Sequence, residues 1–253
     1  MVWRVWGAGA PLVLFHGGSG SWNHWIRTIP VLSQHYELWV PDIPGLGDSA
    51  MPPEPRTPST IADIVVAGLR ELLPAAPKLR IAGFSFGGHV AGLTALRLQE
   101  RVHSLTLIGV AALGLRAAPR ERFAKVGPGM TAEQRDAVYR QNLAVLMFAD
   151  EANIDALAIH MQACNIARTR FRSRQFAATD DLAVALADIK VPLKTIWGTR
   201  DIIARPSLDA RLDVLRRHHP ELQVRLIEGA GHWAMYEAAD RFNAAFLDLL
   251  ASG

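Results

Sequence analysis

A chain of 253 residues, half of them hydrophobic, can bury a sizeable core without disulfide or metal staples. The net charge is only +3, no long basic run is present and no aromatic platform is clustered for stacking bases, which argues against a nucleic-acid partner. The single cysteine, Cys164, excludes an intramolecular disulfide, and no apolar run approaches the roughly twenty residues of a membrane span, so the sequence reads as soluble and cytoplasmic.

The first strong strand is PLVLF at 11–15, too short for the apolar core of a signal peptide. It runs into the turn HGGSGS, and a helix is predicted from Trp22 to Ser33. ELWVPD at 37–42 is a second strand, followed by IPGLGDSAMPPEP, whose prolines and glycines forbid regular structure. Thr60 to Leu73 has apolar residues at helical spacing, KLRIAGF at 78–84 reads as a buried strand, and Phe86 to Gln99 as a Gly/Ala-rich helix suited to close packing. VHSLTLIGV at 102–110 is another strand. From about 112 to 187 the chain then reads as helices alone. Strand chemistry resumes with VPLKTIWG at 191–198 and LQVRLI at 222–227, with helices over Pro206–Arg217 and Ala234–Leu250. Alternating strands and helices predict an α/β class with a mostly parallel sheet flanked by helices. The predicted organisation is a core domain of residues 1–111 and 188–253 interrupted by a helical cap, 112–187.

Four segments carry chemistry. Gly83-Phe84-Ser85-Phe86-Gly87 matches G-x-S-x-G between a buried strand and a helix, the context that strains a serine and exposes its hydroxyl. The following helix N-terminus stabilises negative charge developing beside Ser85. His16-Gly17-Gly18 follows the first strong strand, so the N–H groups of Gly18 and Phe86 are predicted to form an oxyanion hole. The competing reading of that turn is a phosphate-binding loop, but HGGSGSW lacks the third spaced glycine of G-x-G-x-x-G and the Lys-Ser/Thr pair of a P-loop. Asp201 ends Trp197-Gly198-Thr199-Arg200-Asp201 just past a strand, where catalytic groups collect in open α/β sheets. His232, in Gly229-Ala230-Gly231-His232, follows the last strand in the same way and suits a general base. The chain order Ser85, Asp201, His232 selects one arrangement among serine triads. His218 and His219 are read as surface loop residues and His89 as packing or cleft wall. His24, His35, His103 and His160 have no metal-type spacing, so neither a metal nor a cofactor is expected.

With HGGSGSW, PDIPGLGDS, GFSFGG, IKVPLKTIWGTRD and EGAGHW in place, the chain resembles the α/β-hydrolase superfamily over nearly everything but 112–187. Within it the sequence is most similar to the branch of meta-cleavage product hydrolases, small carboxylesterases and lactonases. Haloalkane dehalogenases and epoxide hydrolases carry Asp at the nucleophile position, against Ser85 here. Only about ten residues precede PLVLF, so the antiparallel strands that open the fold are expected to be shortened or partly missing. The resemblance implies a structural role for the loop holding Asp42 and Asp48, the rival carboxylates, and neither is expected at a suitable strand end. It implies hydrolysis of a small-molecule carboxylic ester or lactone. C–C cleavage of a vinylogous keto acid is the alternative, acyl transfer or lyase chemistry a third, and a hydrolase-fold ligand receptor the non-enzyme reading.

In the cap, Ile154, Leu157, Ala158 and Met161 form a helical stripe. Continuing that helix would place Asn165, Arg168 and Arg172 on the stripe and Arg170 and Arg174 opposite. Arg168, with Asn165 and Trp233, is therefore the predicted substrate-contacting set. The bland alternative is arginine stems packed at a helix end with their heads in water. Trp22, Trp25, Phe84, Phe86, Phe171 and Trp233 are candidates for an apolar pocket wall, with core packing the default for most of them.

Overall fold

The computed structural model describes residues 1–75, 78–115 and 122–252. Seven strands form one sheet: β1 (Val2–Trp6), β2 (Ala10–Phe15), β3 (Tyr36–Asp42), β4 (Leu79–Phe84), β5 (Val102–Ile108), β6 (Leu193–Gly198) and β7 (Gln223–Ile227). Their order is β1-β3-β2-β4-β5-β6-β7. Only β1 is antiparallel, pairing β3 from Val2↔Asp42 to Trp6↔Leu38, and all other pairings are parallel. A single antiparallel strand thus opens the sheet among the described residues.

The strands β2, β4, β5 and β6 are buried on both faces, as parallel strands covered by helices must be. Strand alternation splits their side chains between two cores. Val13, Phe15, Ile81 and Leu107 face α2 (Pro58–Leu72), α3 (Phe86–Leu98), α6 (Asp181–Leu186) and α7 (Leu208–Arg216). Leu12, Leu14, Ala82 and Ile196 face α1 (Ile29–Leu32) and the C-terminal helices α8 (Ala234–Glu237) and α9 (Ala239–Ala251). The two remaining helices, α4 (Ala132–Leu146) and α5 (Ala156–Ala167), lie between β5 and β6 with α6. Leu143, Met147, Phe148, Ile154, Ala158 and Met161 of this stretch share the second core with Trp233 and Tyr236, so the stretch is packed into the body of the molecule.

Several predicted helices are shorter than their patterns. Trp22–Ser33 is a 3-10 turn at Trp22–Trp25 followed by α1, because Pro30 at the start of α1 lacks the N–H that a continuous helix would use. The C-terminal helix breaks at Ala238, which is half-extended (φ −131°, ψ 48°). Helix α5 ends at Ala167, with Arg168 as its C-cap, and the N–H groups of Arg170 and Phe171 both donate to Gly45 O at 3.0 Å. The extrapolation of this helix to Arg172 is therefore corrected: a tertiary contact to the β3–α2 loop captures the backbone just past Thr169.

Candidate active site

Ser85 occupies the turn between β4 and α3 with φ 52° and ψ −118°, a conformation a non-glycine residue adopts only when its surroundings impose it. The imposing contacts are visible. Ser85 N donates to Ile108 O at 2.8 Å, and α3 starts immediately behind it. A side chain on Gly83 would collide with Gly87 O, and one on Gly87 with His16 O, so both flanking positions require glycine.

Asp201 and His232 sit on the turns that follow β6 and β7. Asp201 Oδ1 accepts from Ile203 N at 2.7 Å and Oδ2 lies 2.9 Å from His232 Nδ1, with both residues buried. A carboxylate only accepts, so Nδ1 carries a proton, which in the neutral ring leaves Nε2 as the acceptor. The His232 ring packs on Phe84, with centroids 4.7 Å apart. Glu237 steadies this turn by accepting from Gly231 N at 2.6 Å and from Ala149 N and Asp150 N at 3.0 and 2.9 Å.

Ser85 and His232 open onto one cavity of about 90 Å³. Gly18 and Phe86 line it too, and Phe86 N–H lies in the first turn of α3, where helical acceptors are lacking. Ser173 Oγ occupies the space that a side chain on Gly18 would need, which closes the cavity over that turn.

The Gly17-Gly18 turn is set by two histidines. His16 Nδ1 donates to Gly17 O at 2.8 Å while its Nε2 accepts from Ile43 N at 2.9 Å. Gly17 N donates to His24 Nδ1 at 3.2 Å. Burial lowers the His16 pKa to about 4 and holds that of His24 well below the ordinary value, so both act as neutral rings. His24 also lines the cavity, a position that its local sequence did not betray.

The rival carboxylates face elsewhere. Asp42 ends β3, and its oxygens accept from Trp22 N at 2.8 Å, Asp48 N at 3.0 Å and Arg4 Nη1 at 2.9 Å. Asp48 pairs at the surface with Arg4 and Arg168. Among the described residues no cluster of three His, Cys, Asp or Glu side chains is spaced to hold a metal. No described helix is long and apolar enough to cross a membrane.

A family model described as alpha/beta hydrolase fold matches residues 10–147, more than half of the sequence. The chain belongs to the α/β-hydrolase fold family. This α/β hydrolase is 29% identical to the 2-hydroxy-6-oxo-6-phenylhexa-2,4-dienoate hydrolase of Burkholderia cepacia, over 98% of this chain and 90% of that protein. It is 26% identical to Lipase 1 of Psychrobacter immobilis, over 92% of this chain and 74% of that protein. Among solved structures, a meta-cleavage product hydrolase from Pseudomonas fluorescens IP01 superimposes with a TM-score of 0.77 at 25% identity, over 98% and 93% of the two chains.

The predicted substrate-contacting residues of this α/β hydrolase do not line the cavity. Arg168 is 59% exposed and pairs with Asp48 at 3.0 Å, a consequence of the early end of α5. Asn165 is buried between Ser21 and Asn23, accepting from Ser21 Oγ and donating to Asn23 Oδ1 at 2.9 Å each. Trp233 is a core residue behind His232, its Nε1 donating to His24 O at 3.0 Å. Among the described residues the arginine at the cavity is Arg174, assigned by helical phase to the opposite face, and its guanidinium lies 3.9 Å over the Phe123 ring. Phe86 is the one aromatic of the suggested wall that lines the cavity, while Trp25, Phe84 and Phe171 are core.

Proposed function

We propose that this chain is a serine hydrolase that cleaves a carboxylic ester or lactone through an acyl-enzyme on Ser85. One observation carries the reading: a serine held at φ 52° on a strand-to-helix turn shares a cavity with a histidine whose other nitrogen is fixed by a buried carboxylate. Ser85 Oγ attacks the substrate carbonyl while His232 Nε2 takes its proton, and Asp201 stabilises the imidazolium. The N–H groups of Gly18 and Phe86 receive the developing oxyanion. As the tetrahedral species collapses, the C–O bond to the alcohol breaks and His232 returns the proton to the leaving oxygen. A water then attacks the acyl carbon while His232 takes its proton, and as the second tetrahedral species collapses the C–Oγ bond breaks and His232 returns the proton to Ser85 Oγ, releasing the acid. No cofactor enters this sequence.

The second reading is hydrolysis of the C–C bond of a vinylogous keto acid. It is supported by the similarity to dienoate hydrolases and by Arg174, whose guanidinium-bearing side chain lines the cavity. A panel of p-nitrophenyl esters, lactones and a dienoic keto acid separates the two. Ester turnover with organophosphonate labelling at Ser85 upholds the first reading, and turnover of the keto acid alone selects the second. Labelling at another residue overturns both.

A further inference from the structure

Phe176 lines the catalytic cavity and also a surface groove of about 520 Å³ along α3 and α6, walled by Pro58, Leu93, Leu96 and Val184. His89 completes the partition between them. Its ring faces the cavity, and its Nε2 lies 3.6 Å from Oδ2 of Asp181, which lines the groove.

Neither part of the partition is tied down by a hydrogen bond across it. The Phe176 ring stacks on Phe171, with centroids 5.8 Å apart and planes at 8°. His89 Nε2 is buried without a hydrogen-bond partner, and burial keeps the ring neutral near pH 7, so Asp181 gains no ion pair from it. Helix α3 gives the direction of the path. Ser85, His89 and Leu93 follow at intervals of four on one face, and eight residues of helix advance about 12 Å. An extended carbon chain advances about 1.2 Å per bond, as the extended backbone does. A straight acyl chain of about ten carbons on Ser85 therefore spans the distance from the nucleophile to Leu93.

Building on the acyl-enzyme reading above, we propose that Phe176 and His89 form the partition that limits acyl length, and that the groove at Leu93, Leu96 and Val184 is a second subsite for a straight aliphatic acyl chain, closed off in the native protein. The wild type then prefers p-nitrophenyl butyrate to the decanoate. Phe176→Ala should raise the decanoate-to-butyrate ratio of kcat/KM by about tenfold or more, a factor that a few methylenes moved from water into an apolar site supply. Phe176→Leu, which keeps an apolar side chain in the core, should raise it less. Adding Val184→Trp to Phe176→Ala fills the groove and should return the ratio to the wild-type value.

Decanoate binding measured by calorimetry reads the same subsite without turnover and should tighten in Phe176→Ala by a similar factor. If no ester is turned over but decanoate binding tightens, the acyl-enzyme reading fails and the subsite stands. An unchanged ratio with unchanged decanoate affinity in both Phe176 variants overturns the subsite, as does a gain that survives Val184→Trp. Should Phe176→Ala lose cooperative unfolding, the Leu variant alone decides between these outcomes.

Discussion

Asp201 and Asp42 are two buried carboxylates with different partners. Asp201 spends one oxygen on a backbone N–H and one on His232, whereas Asp42 spends both on Arg4 and the N–H groups of Trp22 and Asp48. Asp201→Asn keeps the shape but favours the wrong imidazole tautomer, and kcat should fall on the order of 10⁴-fold. An Asn variant as active as the wild type would reassign the acid. Arg168 lies at the other extreme. Its pair with Asp48 is exposed on both sides, and such pairs contribute about 0–1 kcal/mol. Arg168→Gln should thus leave the urea midpoint nearly unchanged and lower kcat/KM for acidic and neutral substrates by no more than about twofold. A loss confined to acidic substrates would return Arg168 to the site.

At the scale of elements, the helical stretch between β5 and β6 is welded to the rest of the chain. Leu143, Met147 and Phe148 pack with Trp233 and Tyr236, while Leu182 and Leu186 of α6 pack with Val90 and Ala91 of α3. Tyr236 Oη donates to Asp155 Oδ1 at 2.7 Å, and Arg27 pairs with the same carboxylate at 2.6 Å. Replacing residues 112–187 with a short glycine linker strips large side chains from both cores, each worth about 2–5 kcal/mol when truncated. Against a total stability of about 5–15 kcal/mol, the shortened chain should lose cooperative unfolding by circular dichroism. A sharp transition in that chain would mean that the sheet and its remaining helices close over the gap.

For the whole molecule, the buried neutral histidines set the dependence of stability on pH. The folded-state pKa values of His16 and His89 are near 4, against 6.5 in the unfolded chain, and that of His24 is also well below 6.5. Between pH 6.5 and 4 the unfolded chain binds more protons, so stability is present above 6.5 and is lost as pH falls toward 4. Each such group contributes a slope of up to about 1.4 kcal/mol per pH unit. The urea midpoint should be flat from pH 7 to 8 and drop steeply from 6.5 to 5. A midpoint as high at pH 5 as at pH 7 would show that these rings are charged or exposed in the folded protein.

The strand ends, the Gly83–Gly87 turn and the positions of Asp201 and His232 were legible in the sequence because each depends on a few adjacent residues. A buried strand, the glycines that let backbone pass, and a polar residue just beyond are local features with local causes. Lengths of helices without strong stops were less legible: Pro30 and the Ala238 break divide segments whose apolar spacing alone runs on. Much of the cavity wall was not legible beyond Gly18, Phe86 and His89. Arg168 and Arg174 differ little in local context, and only the capture of the chain by Gly45 O turned Arg168 outward and carried Ser173, Arg174 and Phe176 to the cavity. His24 lines the cavity for a comparable reason, its ring held among Phe84, Trp233 and the N–H of Gly17. The sequence by itself determined the alternation of strands and helices and the residues just past β4, β6 and β7. Tertiary structure decided which side chains share a cavity, because that depends on contacts between segments distant in the chain, which helical phase does not encode.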